Sequence, residues 1–325
     1  HGPVEWDTGR RLAEAKSFLN DYFLLMYSDN YVSFNLNKMA RFYHAQLSLL
    51  TFIVYPKFEG NIRLAESGKV TVYDKTRREE GLNFVELGYM ILSKDVFEYF
   101  DEIDVSFSDI ILKLVGDQQV SGMVVNDAYH SISDLERLEL TKEYLKPKKI
   151  LLIDRDGVIN EKAPRGEYIT AWESFVFLPE NIIGMRMLAE AGYEFIVISN
   201  QAGIARGMVS QETIDSIHKN MKEELAKDGI SILDILICPH HWDENCFCRK
   251  PNPGMMLKAS KDWLFRLDKT FYIGDDPRDC QAAYNAGCRS LFLGELREVE
   301  ALSPEEQPLE VFNNLKEAAP FLMNQ

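Results

Sequence analysis

Ile150-Leu151-Leu152-Ile153-Asp154-Arg155-Asp156-Gly157-Val158-Ile159-Asn160 is the stretch on which the fold turns. Four apolar residues run into two aspartates at i and i+2 and then a glycine, the pattern of a buried parallel strand that ends at a site. In an open α/β sheet, ligands bind beyond the carboxyl ends of the strands. Side chains alternate along a strand, so Asp154 and Asp156 fall on the same side of an extended chain. Two carboxylates this close either share a cation or leave one protonated, and phosphoryl transfer with Mg²⁺ uses both arrangements. A strand end with two solvated aspartates has the same local pattern, so the flanking sequence decides.

Downstream the pattern alternates strand and helix. Helices are expected at 180–191, 211–227, 253–265, 277–286 and 309–318, and strands at 194–199, 232–238, 270–274 and 289–293. This is the signature of a doubly wound parallel sheet. Its polar residues fall at strand ends: Asp154 and Asp156 after the first, Ser199-Asn200 after the second, and Asp275-Asp276 with Asp279 after a later one. Lys250 stands before Pro251 in the loop between them.

Four such sites in this order resemble the haloacid-dehalogenase (HAD) type phosphatases, over roughly 130 residues. The resemblance implies a capless HAD-like fold and a set of roles. Asp154 is the nucleophile that takes the phosphoryl group, and Asp156 is the acid and then the base. Ser199, Asn200 and Lys250 hold the non-bridging oxygens. Mg²⁺ is expected at the Asp154 carboxylate, the Asp156 carbonyl and Asp275. Asp276 and Asp279 either ligate, contact bound water or lock the loop.

Cys238-Pro239-His240, five residues, then Cys246-Phe247-Cys248 places three sulfurs and an imidazole in one loop. That donor set favours a closed, structural Zn²⁺ site, with His241 the weaker substitute for His240. With Asp154 to Asn160, Ser199-Asn200-Gln201-Ala202-Gly203-Ile204-Ala205-Arg206-Gly207 and Cys248-Arg249-Lys250-Pro251, this loop is similar to the heptose-1,7-bisphosphate phosphatase group, relatives of the histidinol-phosphate phosphatases. The resemblance implies a second-phosphate contact at Arg249 and substrate contacts at Asn200 and Gln201; Arg206 either makes a similar contact or pins its loop. The 161–177 connection is too short for a cap, and Lys162, Arg165 and Tyr168 stand there as sugar-phosphate contacts or as a solvated charged loop. Trp172, Trp242 and Trp263 read as packing residues, and Cys280 and Cys288 as buried thiols.

Upstream, residues 1–147 read as a mixed α/β domain, separated by Lys146-Pro147-Lys148 from a second domain at 148–325. The strand before Asp29, Tyr73-Asp74-Lys75 and Glu86-Leu87-Gly88 together resemble the sugar-nucleotide transferases. The family's glycine-rich nucleotide loop is not in the sequence, and Ser131 stands where the family has a second metal-binding aspartate. The chain opens His1-Gly2-Pro3, without an initiator Met, so this domain is expected to be a partial nucleotidyltransferase-like unit lacking its N-terminal part.

Net charge is −15 over 325 residues, which argues against broad nucleic-acid binding. Five cysteines, three of them clustered, suit metal ligation better than a disulfide framework. No apolar run is long enough to span a bilayer, so a cytoplasmic enzyme with a small sugar phosphate as partner, and no nucleic acid or membrane partner, is expected. The expected function is a phosphatase for D-glycero-D-manno-heptose 1,7-bisphosphate linked to nucleotide-sugar synthesis. Its alternatives are a histidinol-phosphate phosphatase and a non-catalytic sugar-nucleotide-binding scaffold.

Overall fold

A computed structural model describes residues 2–100, 106–126, 129–164 and 166–325. Arg165 lies outside the described residues. The chain divides into two compact units, His1–Leu138 and Glu139–Gln325. That division falls inside a helix and not at Lys146–Lys148. The reason is local: Tyr144 is fully buried, and Lys148 Nζ donates to the carbonyl of Trp263 at 3.0 Å.

The first unit holds strands β1 (Tyr22–Met26), β2 (Asn30–Val32), β3 (Leu50–Pro56), β4 (Ile62–Leu64), β5 (Val70–Tyr73), β6 (Phe84–Ser93), β7 (Val120–Val124) and β8 (Tyr129–Ser131). Its helices are α1 (Thr8–Ala15), α2 (Leu36–Gln46), α3 (Phe107–Gly116) and α4 (Leu135–Leu145), the last of which crosses the division. A mixed sheet runs β5-β4-β6-β3-β7, with β1 antiparallel to β6. β2 and β8 form a separate antiparallel ribbon that sequence pattern did not anticipate, because three-residue strands show no periodicity.

The second unit contains β9 (Ile150–Ile153), β10 (Glu194–Asn200), β11 (Ile232–Cys238), β12 (Phe271–Gly274), β13 (Arg289–Leu293) and β14 (Glu310–Phe312). Its helices are α5 (Pro179–Glu190), α6 (Gln211–Lys227), α7 (Gly254–Trp263), α8 (Pro277–Ala286) and α9 (Leu315–Met323). All six strands are parallel, in the order β11-β10-β9-β12-β13-β14. This is the doubly wound sheet that the alternation implied.

Period-2 alternation sorts the strand residues between two cores. Leu151, Ile153, Phe195, Val197, Phe271 and Ile273 pack on one face with Met185 of α5, Ile217 of α6 and Leu322 of α9. Ile150, Leu152, Ile196, Ile198 and Tyr272 pack on the other with Met256 of α7 and Ala283 of α8. Both faces are covered, which is why these strands read as unbroken apolar runs.

The expected helix at 309–318 is corrected: Glu310–Phe312 forms the edge strand β14, and the helix begins at Leu315, capped by Asn314. Pro320 lies inside α9, and a proline at that place hid the helix from sequence pattern.

Candidate active site

In chain order the sheet grows from β9 through β10 to β11, then returns to the other side of β9 with β12. The reversal beside β9 opens a crevice at the carboxyl ends, the position where such sheets bind ligands. A pocket of about 170 Å³ lies there, its wall including Asp154, Asp156, Lys162, Tyr168, Ser199, Lys250, Arg278 and Asp279. Gly157 takes φ +91°, and a Cβ there would sit 1.8 Å from Asp275 Oδ2. Glycine is therefore required for the β9 loop to approach the β12 loop.

Asp154 is 7% exposed, and its Oδ1 accepts from the backbone N–H of Arg155 at 2.8 Å and from Lys250 Nζ at 2.9 Å. Burial pushes its carboxyl up, Lys250 opposes that, and Asp279 and Asp275 add to it. Lys250 is fully enclosed: its Nζ also lies 2.8 Å from Asp279 Oδ1 and 2.7 Å from the Tyr272 hydroxyl, and it donates to the Ile198 carbonyl at 3.2 Å. Burial disfavours the ammonium, yet Asp154 and Asp279 raise its pKa above the ordinary lysine value.

Asp156 shares the pocket but has different partners. Both its oxygens accept from Arg155 Nη2 at 2.8 Å, Oδ1 from Asn160 Nδ2 at 3.0 Å, and Oδ2 from Gln201 Nε2 at 2.9 Å. Burial alone raises its pKa, and the Arg155 charge with these donors outweighs burial and lowers it. The two aspartates read from the sequence are thus pushed in opposite directions by their surroundings.

The loop after β12 separates the roles that spacing left open. Asp279 is buried, and its Oδ2 accepts from the backbone N–H groups of Asp275 and Asp276 at 3.1 and 3.0 Å. With Oδ1 held by Lys250 and Tyr272, its oxygens are committed to locking the loop. Asp276 caps α8 and pairs with Arg278. Asp275 is different: Oδ2 lies 2.6 Å from Lys162 Nζ, whereas Oδ1 is buried with no hydrogen-bond partner among the described residues. Burial pushes this carboxyl up to about 6 against the pull of Lys162. Carboxylate oxygens of Asp154, Asp275 and Asp279 lie within 4.8 Å of one another. With Asp279 committed to the loop, the orphaned Asp275 oxygen beside the Asp154 carboxylate fits a hard divalent cation, with Lys162 supplying the positive charge here.

Asn200 clamps the lysine backbone: its Oδ1 accepts from Lys250 N at 3.1 Å and its Nδ2 donates to Lys250 O at 3.2 Å. Gln201 Nε2 donates to Asp156 Oδ2 and to Ser199 Oγ, tying the ends of β9 and β10 together. Arg206 and Arg249 lie outside the pocket lining. Arg206 contacts Tyr168 and Trp242, with its guanidinium 5.7 and 5.3 Å from their ring centres. Trp242 is half exposed and stacks on that arginine, contrary to its reading as a packing residue, whereas Trp172 packs against Phe175 in the core. Arg249 Nη1 is buried without a partner among the described residues. Sequence reasoning missed Tyr272, Arg278 and His218, which stand in no motif, and Arg155, which stands in the Asp154-Arg155-Asp156 motif but was given no role there.

The loop from β11 to α7 brings Cys238, His240, Cys246 and Cys248 together, their ligand atoms within 4.8 Å of one another. Cys238 Sγ lies 3.5 Å from Cys246 Sγ, Cys248 Sγ 3.5 Å from Cys246 Sγ, and His240 Nδ1 3.2 Å from Cys248 Sγ. Zn–S bonds of about 2.3 Å at tetrahedral angles put sulfurs roughly 3.8 Å apart, so four such ligands fit. His241 faces away, its Nδ1 accepting from Asp243 N.

Residues 247–318 match the HAD-hydrolase-like family. The chain is 35% identical over 177 residues to a D-glycero-alpha-D-manno-heptose-1,7-bisphosphate 7-phosphatase of Photorhabdus laumondii, covering 51% of this chain and 92% of that protein. The chain belongs to the HAD-type phosphatases. It is a phosphoric monoester hydrolase. A second relative of this HAD phosphatase is a D-glycero-beta-D-manno-heptose-1,7-bisphosphate 7-phosphatase of Pseudomonas aeruginosa, 30% identical, with 54% of this chain and 98% of that protein covered. A third is the histidine biosynthesis bifunctional protein HisB of Campylobacter jejuni, 37% identical over 47% of this chain and 44% of that protein. Among solved structures, the D,D-heptose 1,7-bisphosphate phosphatase of B. bronchiseptica, complexed with magnesium and phosphate, superposes with TM-score 0.50 at 31% identity, covering 54% of this chain and 98% of that one. Among the described residues no helix is long and apolar enough to cross a membrane.

Proposed function

We propose that this phosphatase hydrolyses a sugar bisphosphate, D-glycero-D-manno-heptose 1,7-bisphosphate, through a phosphoryl group carried on Asp154. The observation that carries the reading is the pair of aspartates at the end of β9, one bound to the buried Lys250 and the other to Arg155. Asp154 attacks phosphorus and forms the new P–O bond as the bond to the sugar oxygen breaks. The negative charge of the arriving phosphate offsets the pull of Arg155, so that Asp156 takes a proton from solvent on binding and then gives it to the departing alkoxide. As carboxylate it then takes a proton from water, which attacks the phosphorus of the aspartyl-phosphate and releases inorganic phosphate and free Asp154. Lys250 and Ser199 face the non-bridging oxygens, and Asn200 holds Lys250 in place. Mg²⁺, held by Asp154, Asp275 and the Asp156 carbonyl, would screen charge between nucleophile and phosphate. Zn²⁺ in the Cys238, His240, Cys246 and Cys248 set is structural and keeps the loop that leads to Lys250 folded.

The heptose bisphosphate phosphatases at 30–38% identity, covered over 77–98% of their length, support this substrate, and HisB at 37% identity keeps histidinol phosphate as the alternative. The first unit is read as a partial nucleotidyltransferase-like domain. In support, β2 and β8 pair with Ser131 opposite Asn30, beside Asp29, the two positions where that resemblance places its metal-binding aspartates. A serine hydroxyl in place of a carboxylate leaves that site poor in charge for a divalent cation. The partner is a small sugar phosphate, with neither nucleic acid nor membrane, and the expected location is the cytoplasm.

The test is phosphate release from heptose 1,7-bisphosphate and from histidinol phosphate, with Mg²⁺, by the full chain and by Asp154→Asn. Turnover of the bisphosphate that disappears in the variant supports the reading. Preference for histidinol phosphate moves the function to that class, and turnover of neither favours a binding role.

A further inference from the structure

Arg155 stands between the two aspartates in sequence, yet its side chain is 1% exposed. Its Nε and Nη2 donate to the Asp156 carboxylate, at 3.2 and 2.8 Å, and Nη1 lies 3.0 Å from His218 Nε2. A guanidinium carries no acceptor, so His218 Nε2 accepts and the ring proton resides on Nδ1. His218 comes from α6, on a face otherwise made of Ile214, Ile217, Met221 and Leu225. A polar side chain buried among apolar ones is costly unless hydrogen-bonded. Burial and the Arg155 charge bring its pKa down to about 3, so the ring is neutral at ordinary pH.

We propose that His218 is a positioning residue for proton transfer: by accepting from Arg155 it fixes the guanidinium plane, and that plane aims the Asp156 carboxylate at the leaving oxygen. The inference rests on the reading of Asp156 as the proton donor. With Nη1 unpaired, the guanidinium plane is set by Asp156 and the Phe175 ring without an anchor on α6, and the fork that holds both Asp156 oxygens shifts with it. A histidine that merely satisfies a core position would affect folding without regard to the leaving group.

The experiment exploits that difference. Heptose 1,7-bisphosphate expels an alkoxide that needs a proton, whereas p-nitrophenyl phosphate expels a stable phenolate that needs none. Values of kcat/KM, which report through the transfer to Asp154, are measured for both substrates with the full chain, His218→Leu, His218→Gln and Asp156→Asn, each below its own melting temperature. A positioned general acid contributes about 10²–10⁴-fold, so a misaimed one is expected to cost His218→Leu about tenfold or more on the bisphosphate. On p-nitrophenyl phosphate the expected loss is below about twofold, because the donor is idle there. His218→Gln, whose Oε1 can accept from Arg155, is expected to recover most of the bisphosphate activity. Equal losses on the two substrates, or no loss on the bisphosphate, in a folded His218→Leu protein overturns the proposal. If Asp156→Asn itself fails to distinguish the substrates, the donor reading of Asp156 falls. If it distinguishes them and His218→Leu does not, only the role of His218 falls.

Discussion

Lys250 Nζ lies 2.9 Å from Asp154 Oδ1, and neither side chain is more than one-tenth exposed. Removing one partner of a buried pair leaves the other charge uncompensated, at a cost of about 3–5 kcal/mol. Lys250→Met is therefore expected to lower the melting temperature and to reduce phosphate release by roughly 10²–10³-fold, the usual loss when an oxyanion-stabilising donor is removed. Asp154→Asn is expected to abolish turnover while melting no lower than the parent. It removes a carboxylate that Asp279 and Asp275 repel. Thermal melts beside phosphate-release assays separate the two effects.

Tyr272 is fully buried on β12, and its hydroxyl accepts from Lys250 at 2.7 Å while lying 3.1 Å from Asp279 Oδ1. Tyr272→Phe deletes one buried hydrogen-bonding group and keeps the ring. A loss of about 1 kcal/mol and a fall of less than tenfold in kcat are expected, measured by denaturant unfolding and steady-state kinetics.

Asp275 Oδ1 is buried without a partner among the described residues. Asp275→Asn replaces that anionic oxygen with a neutral amide, which a hard cation binds poorly. The Mg²⁺ concentration that gives half-maximal activity is expected to rise by about tenfold or more, and calorimetric titration with Mg²⁺ alone is expected to weaken likewise. Unchanged titration would remove Asp275 from the site.

The four ligands from Cys238 to Cys248 are expected to hold one zinc per chain, read by elemental analysis of the purified protein. Cys246→Ser is expected to lose that metal, melt lower and release less phosphate. Arg249 and Lys250 follow directly in the chain, and a loop without its metal no longer fixes them. Wild-type protein purified without zinc, yet fully active and equally stable, would refute the site.

His218 sets a pH dependence of stability away from the carboxylates. Its pKa is about 3 in the folded chain against 6.5 for an ordinary histidine. Unfolded chain therefore binds a proton below pH 6.5 that the folded chain refuses until about pH 3. The contribution is complete above pH 6.5 and is lost as pH falls toward 3, by roughly 1.4 kcal/mol per pH unit. Urea unfolding between pH 7 and 4 is expected to show a steeper decline for the parent than for His218→Gln, which has no titrating ring.

Much of the second unit was legible because its chemistry is local. Periodicity placed five strands and four helices close to where they lie, since parallel strands with helices on both faces are apolar throughout and end abruptly at polar residues. Asp154, Asp156, Ser199, Lys250 and the three clustered cysteines could be named because each sits at a strand end or in a tight motif. Elements without a period were missed: the ribbon of β2 and β8, the edge strand β14, and a helix with Pro320 inside it.

By itself the sequence determined the alternation of strand and helix, the polar residues at the strand ends and the close spacing of three cysteines and a histidine, because these depend on residue type and spacing. Only the tertiary structure decided what each polar group does. Asp275 and Asp279 are four residues apart with the same side chain, yet one keeps an orphaned oxygen and the other is saturated by Lys250, Tyr272 and two backbone N–H groups. Asn200 bonds the backbone of Lys250 across 50 residues of chain, and Arg155 found His218 across 63. Such pairings follow from where β9, β10, β12 and α6 are packed, because a hydrogen bond depends on distance in space and not on separation along the chain.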